Sequence, residues 1–513
     1  MTAPTHLVHR YLEKSARRDP RSPAVFAEGR WHTYDEVEMA SNRMAHLLVS
    51  KGIRPGDRVA LMLENSFAYV VTYYGILKAG AVTVAFNTES LAGGIHYMLG
   101  NCGVSILITQ QKFLSRIQSI PSYPATLTGI FIWTPRSSAT VSALPSVLLP
   151  SSLESLSTSP PDISMDAEAT ASIVYTSGST GKSRGVTLTH GNITANTESI
   201  VSYLRLTAED RVMVVLPFFY IYGKSLLNTH FAVGGSVVID NRFLYPNVIL
   251  KTMREQQATG FAGVPSTFGI LLHRSMLAAL DFPCLRYVTQ AGGAMAPALQ
   301  KETAAAFSPA KLYIMYGATE ASARLSYLDP KDLPQKWGSI GKAIPGVELF
   351  VADPNGNPLP PGTEGELVAR GANIMRGYWD QPEETEEVLK NGLYYTGDIG
   401  IMDNEGFLYI IGRKRDMIKV GGNRVSAKEI EDALYEHPDI VEAAVIGRHD
   451  DLLGESIKAF IVLKSGPGDE PKTNEIREFL ASRIAPYKIP QAIVFLSALP
   501  KNESGKILKL KLK

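Results

Sequence analysis

The stretch IVYTSGSTGKSRGVTLTHGNI, residues 173–193, gathers hydroxyls, glycines and cations into one short loop. Thr176, Ser177, Ser179 and Thr180 carry the hydroxyls, and Gly178 and Gly181 permit sharp turns and close backbone approach. Lys182 and Arg184 add positive charge. Backbone N–H groups exposed in such a turn can surround phosphate oxygens, so the chemistry on offer is nucleotide binding. An ordinary Gly/Ser/Thr turn has the same composition. Two common phosphate motifs are excluded. GxxxxGK followed by Ser or Thr would need glycine at 176, where Thr176 stands, and GxGxxG lacks its first glycine.

The elements that must hold this loop are those of an α/β protein. The chain has 513 residues, too many for one ordinary core, and two or more domains are expected. Hydrophobic residues make up 45% and charged residues 20%, a globular composition. A formal charge of +1 provides no overall field for nucleic acid or an acidic membrane, and no nucleic-acid module is present. Cys102 and Cys284 are far apart and form no CxxC, which argues against a disulfide framework or a cysteine metal cluster. The N-terminus has no uninterrupted apolar run like that of a secretory signal. AYVVTYYGILKAGAVTVAF, residues 68–86, reads as a buried helix ending at KAG and a following strand, not as a membrane span. A cytoplasmic protein without stable membrane insertion is expected.

RVALMLEN, VSILIT, DRVMVVLPFF and VVID read as strands between helical patterns, which points to a mainly parallel sheet. Residues 135–170 are rich in Ser and Pro and read as a long surface connection with one short helix, a candidate subdomain boundary. GELVARG and GFLYIIGRKRD look like short antiparallel strands. Ser426 and Glu429 form a capping box before a helix whose apolar face is Ile430, Ala433 and Leu434. From there a compact α+β unit runs to the end. The expected domains are 1–411 and 412–513. The closing KILKLKLK reads as an edge strand with exposed lysines.

Five motifs occur in one order: YTSGSTGKSRGV (175–186), YGATEAS (316–322), YYTGDIG (394–400), IGRKRDMIKVGGNRVSAKEIE (411–431) and PKNESGK (500–506). In this order and at this spacing the chain resembles the adenylate-forming superfamily of acyl- and aryl-CoA synthetases, which also holds firefly luciferase, over nearly its whole length. The resemblance implies a large N-terminal α/β domain with layered sheets and a small mobile α+β C-terminal domain that carries a catalytic lysine. It also implies ATP and Mg²⁺, a carboxylic acid substrate, and coenzyme A or the phosphopantetheine of an acyl carrier protein as acceptor.

The same resemblance implies residue roles. The loop Thr176–Gly181 would hold phosphates, with Arg184 in the basic position. Gly292, Gly293 and Ala294 of QAGGAM would lie beside adenine, as would Tyr316 of the YGATE motif. Gly317 and Ala318 complete that turn, and Thr319 would approach phosphate. Glu320 would hold Mg²⁺, an ion that favours hard carboxylate oxygens. Asp398 would take the ribose hydroxyls and Arg413 the ribose or phosphate region. Arg415 falls at the hinge, and Gly421 and Gly422 form the loop that faces the site during thiol transfer. Lys506 would bridge the acid carboxylate and the α-phosphate in the first half-reaction, where negative charge builds. Arg184, Thr319, Glu320 and Lys506 are thus the catalytic candidates.

The chain departs from the family pattern in two places. Ser183 and Arg184 replace the frequent Pro-Lys, and Tyr220 stands where many relatives have histidine. Tyr220, Tyr222 and Gly223 fall on the acyl pocket. Relatives that activate α-amino acids place an aspartate near Tyr222 for the ammonium, and a buried ammonium without a partner is costly. FFYIYG, Phe243 and AGVPST therefore imply an apolar pocket for an aryl or a fatty acyl group.

Overall fold

The computed structural model describes residues 7–134, 145–177, 183–414, 416–420, 423–450, 454–464, 473–502, 505 and 507–512. The chain forms two compact units. The first takes Met1–Asn241, Ala318–Arg324 and Gly371–Leu389, and the second takes Arg242–Gly317, Leu325–Arg370 and Lys390–Lys513.

The first unit is built on an eight-stranded sheet. Its order is Gly377–Tyr378, Ser183–Thr189, Thr170–Ser177, Val82–Ala85, Arg58–Met62, Ile106–Gln110, Gly129–Trp133 and Ser146–Leu149. The first two junctions are antiparallel and the rest parallel. Apolar runs such as VTVA are buried along their whole length, as strands covered on both faces require. The helix Phe67–Lys78 starts at Ser66, whose hydroxyl accepts from the Tyr69 N–H at 3.2 Å, and precedes the strand Val82–Ala85. Lys78 at its end is buried, paired with Glu38 at 2.7 Å and Glu13 at 3.5 Å. Among the described residues no helix is long and apolar enough to cross a membrane.

One expectation is corrected here. The Ser/Pro-rich region is not a boundary between subdomains. Ser146–Leu149 pairs in parallel with Gly129–Trp133 as the last strand of the sheet, and a 3₁₀ turn at Ser151–Leu153 follows. Leu149 is fully buried, so four residues with an apolar core outweigh the surrounding composition.

In the second unit the parallel strands Gly260–Gly263, Tyr287–Gln290 and Lys311–Tyr316 continue into antiparallel ones. These run Ser326–Leu328, Ser339–Ala343, Leu408–Arg413, Leu393–Met402, Gly365–Gly371 and Val347–Ala352. GELVARG and LYIIGR therefore each pair antiparallel with the strand between them, Leu393–Met402. The C-terminal domain has its own sheet, in which Ile440–Asp450 pairs with Gly454–Leu463 and Ala492–Phe495 adds in parallel. The helix Ala427–Tyr435 begins at Ser426, whose hydroxyl accepts from the Glu429 N–H at 3.3 Å, and buries Ile430, Ala433 and Leu434. The tail is the second correction. Lys509–Leu512 is a 3₁₀ turn, not an edge strand. Ile507 and Leu512 pack on Phe460, Val462 and Leu499, and Lys509 pairs with Glu431 at 2.6 Å.

Candidate active site

The hairpin Thr170–Ser177/Ser183–Thr189 carries the first group of candidates. Thr176 stands opposite Arg184 in the pairing. The tip, with Gly178, Ser179, Thr180 and Gly181, lies outside the described residues. The guanidinium of Arg184 lies 4.5 Å from the ring centroid of Tyr378. Its Nε is buried and meets no acceptor among the described residues. The Tyr378 hydroxyl donates to Glu320 Oε1 at 2.8 Å. Burial, and then the neighbouring Glu320 carboxylate, push the Tyr378 phenol well above its ordinary pKa, so it remains a proton donor at working pH.

Thr319–Ala321 is a single 3₁₀ turn after Ala318. The Glu320 carbonyl accepts from the Met375 N–H at 2.8 Å. Beyond it, Ser322 has φ +55° and Ala323 φ +119°. Such backbone is rare for residues other than glycine and needs support from its surroundings. Asn373 Nδ2 donates to the carbonyls of Ala321 at 3.0 Å and Arg324 at 2.9 Å, and Asn196 Nδ2 to that of Arg324 at 2.9 Å.

Arg324 is buried, with its guanidinium 4.0 Å from the ring centroid of Tyr222. Tyr222 lies on the helix Ile221–Val233, and Tyr220 precedes it with its ring 4.5 Å from that of Phe219. At Gly223 a Cβ would stand 2.2 Å from the Pro217 carbonyl oxygen, so glycine is what lets the helix start fold against that turn. Next to it Lys224 is fully buried, with Nζ donating to Ser172 Oγ at 3.2 Å.

The second unit holds the other group. Tyr316, at the end of Lys311–Tyr316, donates from its hydroxyl to Asp398 Oδ2 at 2.6 Å. Asp398 and Arg413 face each other across paired strands, with Arg413 Nε 3.0 Å from Asp398 Oδ1. The three residues expected at adenine and ribose thus form one cluster. Each carboxylate oxygen keeps a further lone-pair direction for a hydroxyl donor. Burial and the Asp398 charge raise the Tyr316 pKa well above its ordinary value.

Gly292 has φ +82°, and a Cβ there would lie 3.1 Å from Val264 Cγ1. Gln290 Nε2 donates to the Gly293 carbonyl at 2.8 Å, and Ala294 is exposed. Gly505, with φ +78°, sits on the same Val264–Ser266 turn, and Ser266 Oγ donates to its carbonyl at 2.8 Å. Lys506, Arg415, Gly421 and Gly422 lie outside the described residues. Sequence reasoning passed over Tyr378, Arg324, Lys224, Asn373 and Ser266. Tyr378 sits in RGYWD, and Arg324 lies two residues beyond YGATEAS.

Layered α/β sheets, a small C-terminal α+β domain and these two clusters define an adenylate-forming ligase. The profile of the AMP-binding enzyme family matches residues 12–379, and that of the AMP-binding enzyme C-terminal domain matches 429–506. The chain belongs to the AMP-binding enzyme family. A long-chain-fatty-acid–CoA ligase of Bacillus subtilis (strain 168) is 34% identical over 99% of this chain and 94% of its own length. A feruloyl-CoA synthase of Amycolatopsis sp is 32% identical over 97% of this chain and 96% of its own. A fatty acid–[acyl-carrier-protein] ligase, ScoC, of Streptomyces coeruleorubidus is 31% identical over 97% and 94%. Among solved structures, the anthranilate CoA ligase AuaEII in complex with anthranoyl-AMP superposes with a TM-score of 0.90 at 29% identity, covering 99% of this chain and 96% of that one. The o-succinylbenzoate coenzyme A synthetase MenE of Bacillus subtilis, in complex with ATP and magnesium ion, gives 0.84 at 28% identity, covering 98% of each.

Proposed function

We propose that this chain activates a fatty or aryl carboxylic acid with ATP and passes the acyl group to coenzyme A. In the first step the acid carboxylate attacks the α-phosphorus, forming acyl-adenylate and releasing pyrophosphate. In the second, a thiol attacks the acyl carbon and AMP leaves. No side-chain nucleophile is needed; the work is alignment and charge neutralisation.

One observation carries this reading. A cation, Arg184, and a carboxylate, Glu320, flank the same tyrosine, yet neither is ion-paired among the described residues. Such a pair suits a ligand that brings both negative oxygens and a hard cation. Glu320, half-buried and with only Oε1 tied to a neutral phenol, fits Mg²⁺, which when bound would neutralise phosphate charge. Arg184, Thr319 and the loop Thr176–Gly181 take phosphate oxygens. Asp398 takes the ribose, Tyr316 and Gly292–Ala294 border adenine, and Arg413 holds Asp398. The seat of Gly505 on Val264–Ser266, behind Gly292, supports the role of Lys506 in the first step. Residues 1–411 form the large domain and 412–513 the small one. The small domain turns at Arg415 to bring Gly421 and Gly422 forward for thiol transfer. The free, exposed Cys284 suits a reducing cytoplasm.

Tyr220, Tyr222 and Gly223 border the acyl group. The Arg324 guanidinium against Tyr222 adds a reason to reject α-amino acids, because a substrate ammonium would meet a buried cation. A second reading keeps the first half-reaction and replaces coenzyme A with a carrier protein, as the name of ScoC describes for that relative. Pyrophosphate exchange over a panel of fatty, aryl and amino acids tests the first step. Exchange with fatty or aryl acids is expected. Exchange with amino acids alone, or with no acid, would overturn the reading. AMP release with coenzyme A against a pantetheinylated carrier then decides the acceptor.

A further inference from the structure

We infer that Tyr378 is the positioning residue of the metal–phosphate site, holding Glu320 and Arg184 apart and each in its working orientation. The inference rests on the roles proposed for those two residues. The hydroxyl of Tyr378 donates to Glu320 Oε1 at 2.8 Å while its ring lies under the Arg184 guanidinium at 4.5 Å. Its backbone is fixed from two sides. Tyr378 pairs opposite Val186 in the strand that carries Arg184, and the Trp379 N–H donates to the Gly185 carbonyl at 2.7 Å. The Tyr378 N–H donates to Thr385 Oγ1 at 2.9 Å, and the Met375 N–H holds the Glu320 carbonyl at 2.8 Å.

The phenol does two things that a phenylalanine ring could not. It supplies a neutral donor, so one carboxylate oxygen is oriented without loss of negative charge. It also satisfies that oxygen, which removes the drive for Glu320 to turn to Arg184. A carboxylate and a guanidinium that both contact one side chain, with no donor to hold the carboxylate, favour a direct ion pair. The pair would be self-neutralised, with little charge left for a metal or for phosphate.

The test compares Tyr378→Phe with wild type. Mn²⁺ binding with a non-hydrolysable ATP analogue is followed by electron paramagnetic resonance, and AMP binding without metal by calorimetry. Losing a hydrogen bond to a charged group should weaken the Mn²⁺–nucleotide complex by about ten- to a hundredfold. AMP affinity should change by less than about twofold, since Asp398 and Tyr316 are untouched. In a Glu320→Gln background, Tyr378→Phe should add less than about twofold, because the phenol acts through Glu320. Equal loss of AMP and Mn²⁺–nucleotide affinity, no loss of either, or additivity with Glu320→Gln overturns the inference and leaves the proposed function standing. Wild-type protein that binds no Mn²⁺–nucleotide overturns both.

Discussion

Lys224 offers a measurable test of how the interior around the site is built. It follows Tyr222 and Gly223 on the helix Ile221–Val233 and is wholly buried. Among the described residues its ammonium has one hydrogen bond, to Ser172 Oγ at 3.2 Å, and lies 5.5 Å from the centroid of the Tyr73 ring. No carboxylate lies within ion-pair reach among the described residues. Burial alone lowers its pKa from 10.5 to about 7. Between those values the native state holds a neutral amine while the unfolded chain holds an ammonium. The unfolded state then binds more protons, so stability rises with pH across that window, and the whole cost is present below about pH 7. The gap corresponds to about 5 kcal/mol.

Lys224→Met keeps the apolar stem and removes the charge, at the loss of one hydrogen bond of about 1 kcal/mol. The variant should be more stable than wild type by about 4 kcal/mol at pH 6, and the advantage should shrink to nearly nothing at pH 10. Guanidinium unfolding at both pH values measures this. Trp31, Trp133 and Trp379 belong to the unit that holds Lys224 and Trp337 to the other, so a Trp337→Phe background reports the relevant unit by fluorescence. A difference that does not vary with pH, or a variant less stable at pH 6, would show that the ammonium is neutralised by a partner and would refute the argument.

Three more outcomes are expected. Asp398→Asn leaves Arg413 and the Tyr316 hydroxyl facing a neutral amide, so KM for ATP should rise about ten- to a hundredfold with KM for the acid unchanged; steady-state kinetics with each substrate varied would show a common loss if Asp398 were only structural. Gly223→Ala places a Cβ 2.2 Å from the Pro217 carbonyl oxygen, and should cost about 1–3 kcal/mol in denaturant unfolding and alter acid preference. Lys506→Ala should slow pyrophosphate exchange by about a hundredfold or more while sparing thioester formation from synthetic acyl-adenylate; equal loss of both half-reactions would remove the lysine from its assigned step.

Much of the fold was legible because apolar runs and their punctuation carry it. AVTVAF and VSILIT are strands where their patterns place them, and Ser426 starts its helix. The cluster proposed for the nucleotide was legible through motif order: Tyr316, Asp398 and Arg413 are 97 residues apart from first to last and touch in the structure. Two readings failed for a shared reason, that tertiary packing overrode a local pattern. In KILKLKLK, Ile507 and Leu512 are five positions apart and would face opposite ways from a strand, yet a turn brings both onto one apolar cluster. In the Ser/Pro-rich stretch, SVLL finds its place only through its neighbour Gly129–Trp133. Tyr378 was illegible because its role exists only once Gly377–Tyr378 lies against Ser183–Thr189, nearly two hundred residues away in sequence.

The same dependence explains why Glu320 is presented on a strained turn. Ala323 at φ +119° is backbone that no local preference selects, and such a residue costs about 1–3 kcal/mol. Three side-chain amide hydrogen bonds from Asn373 and Asn196, at about 1 kcal/mol each, are of the right size to offset it. A relaxed helix here would carry Glu320 on past the 3₁₀ turn and bury Arg324 elsewhere. The strain instead turns the chain back at once, with the carboxylate toward Tyr378 and the guanidinium under Tyr222. Glu320 and Arg324, the first proposed for the metal and the second packed on the acyl-pocket candidate Tyr222, are four positions apart in sequence and are thereby set by one backbone distortion. A change at Asn373 or Asn196 should therefore disturb both together.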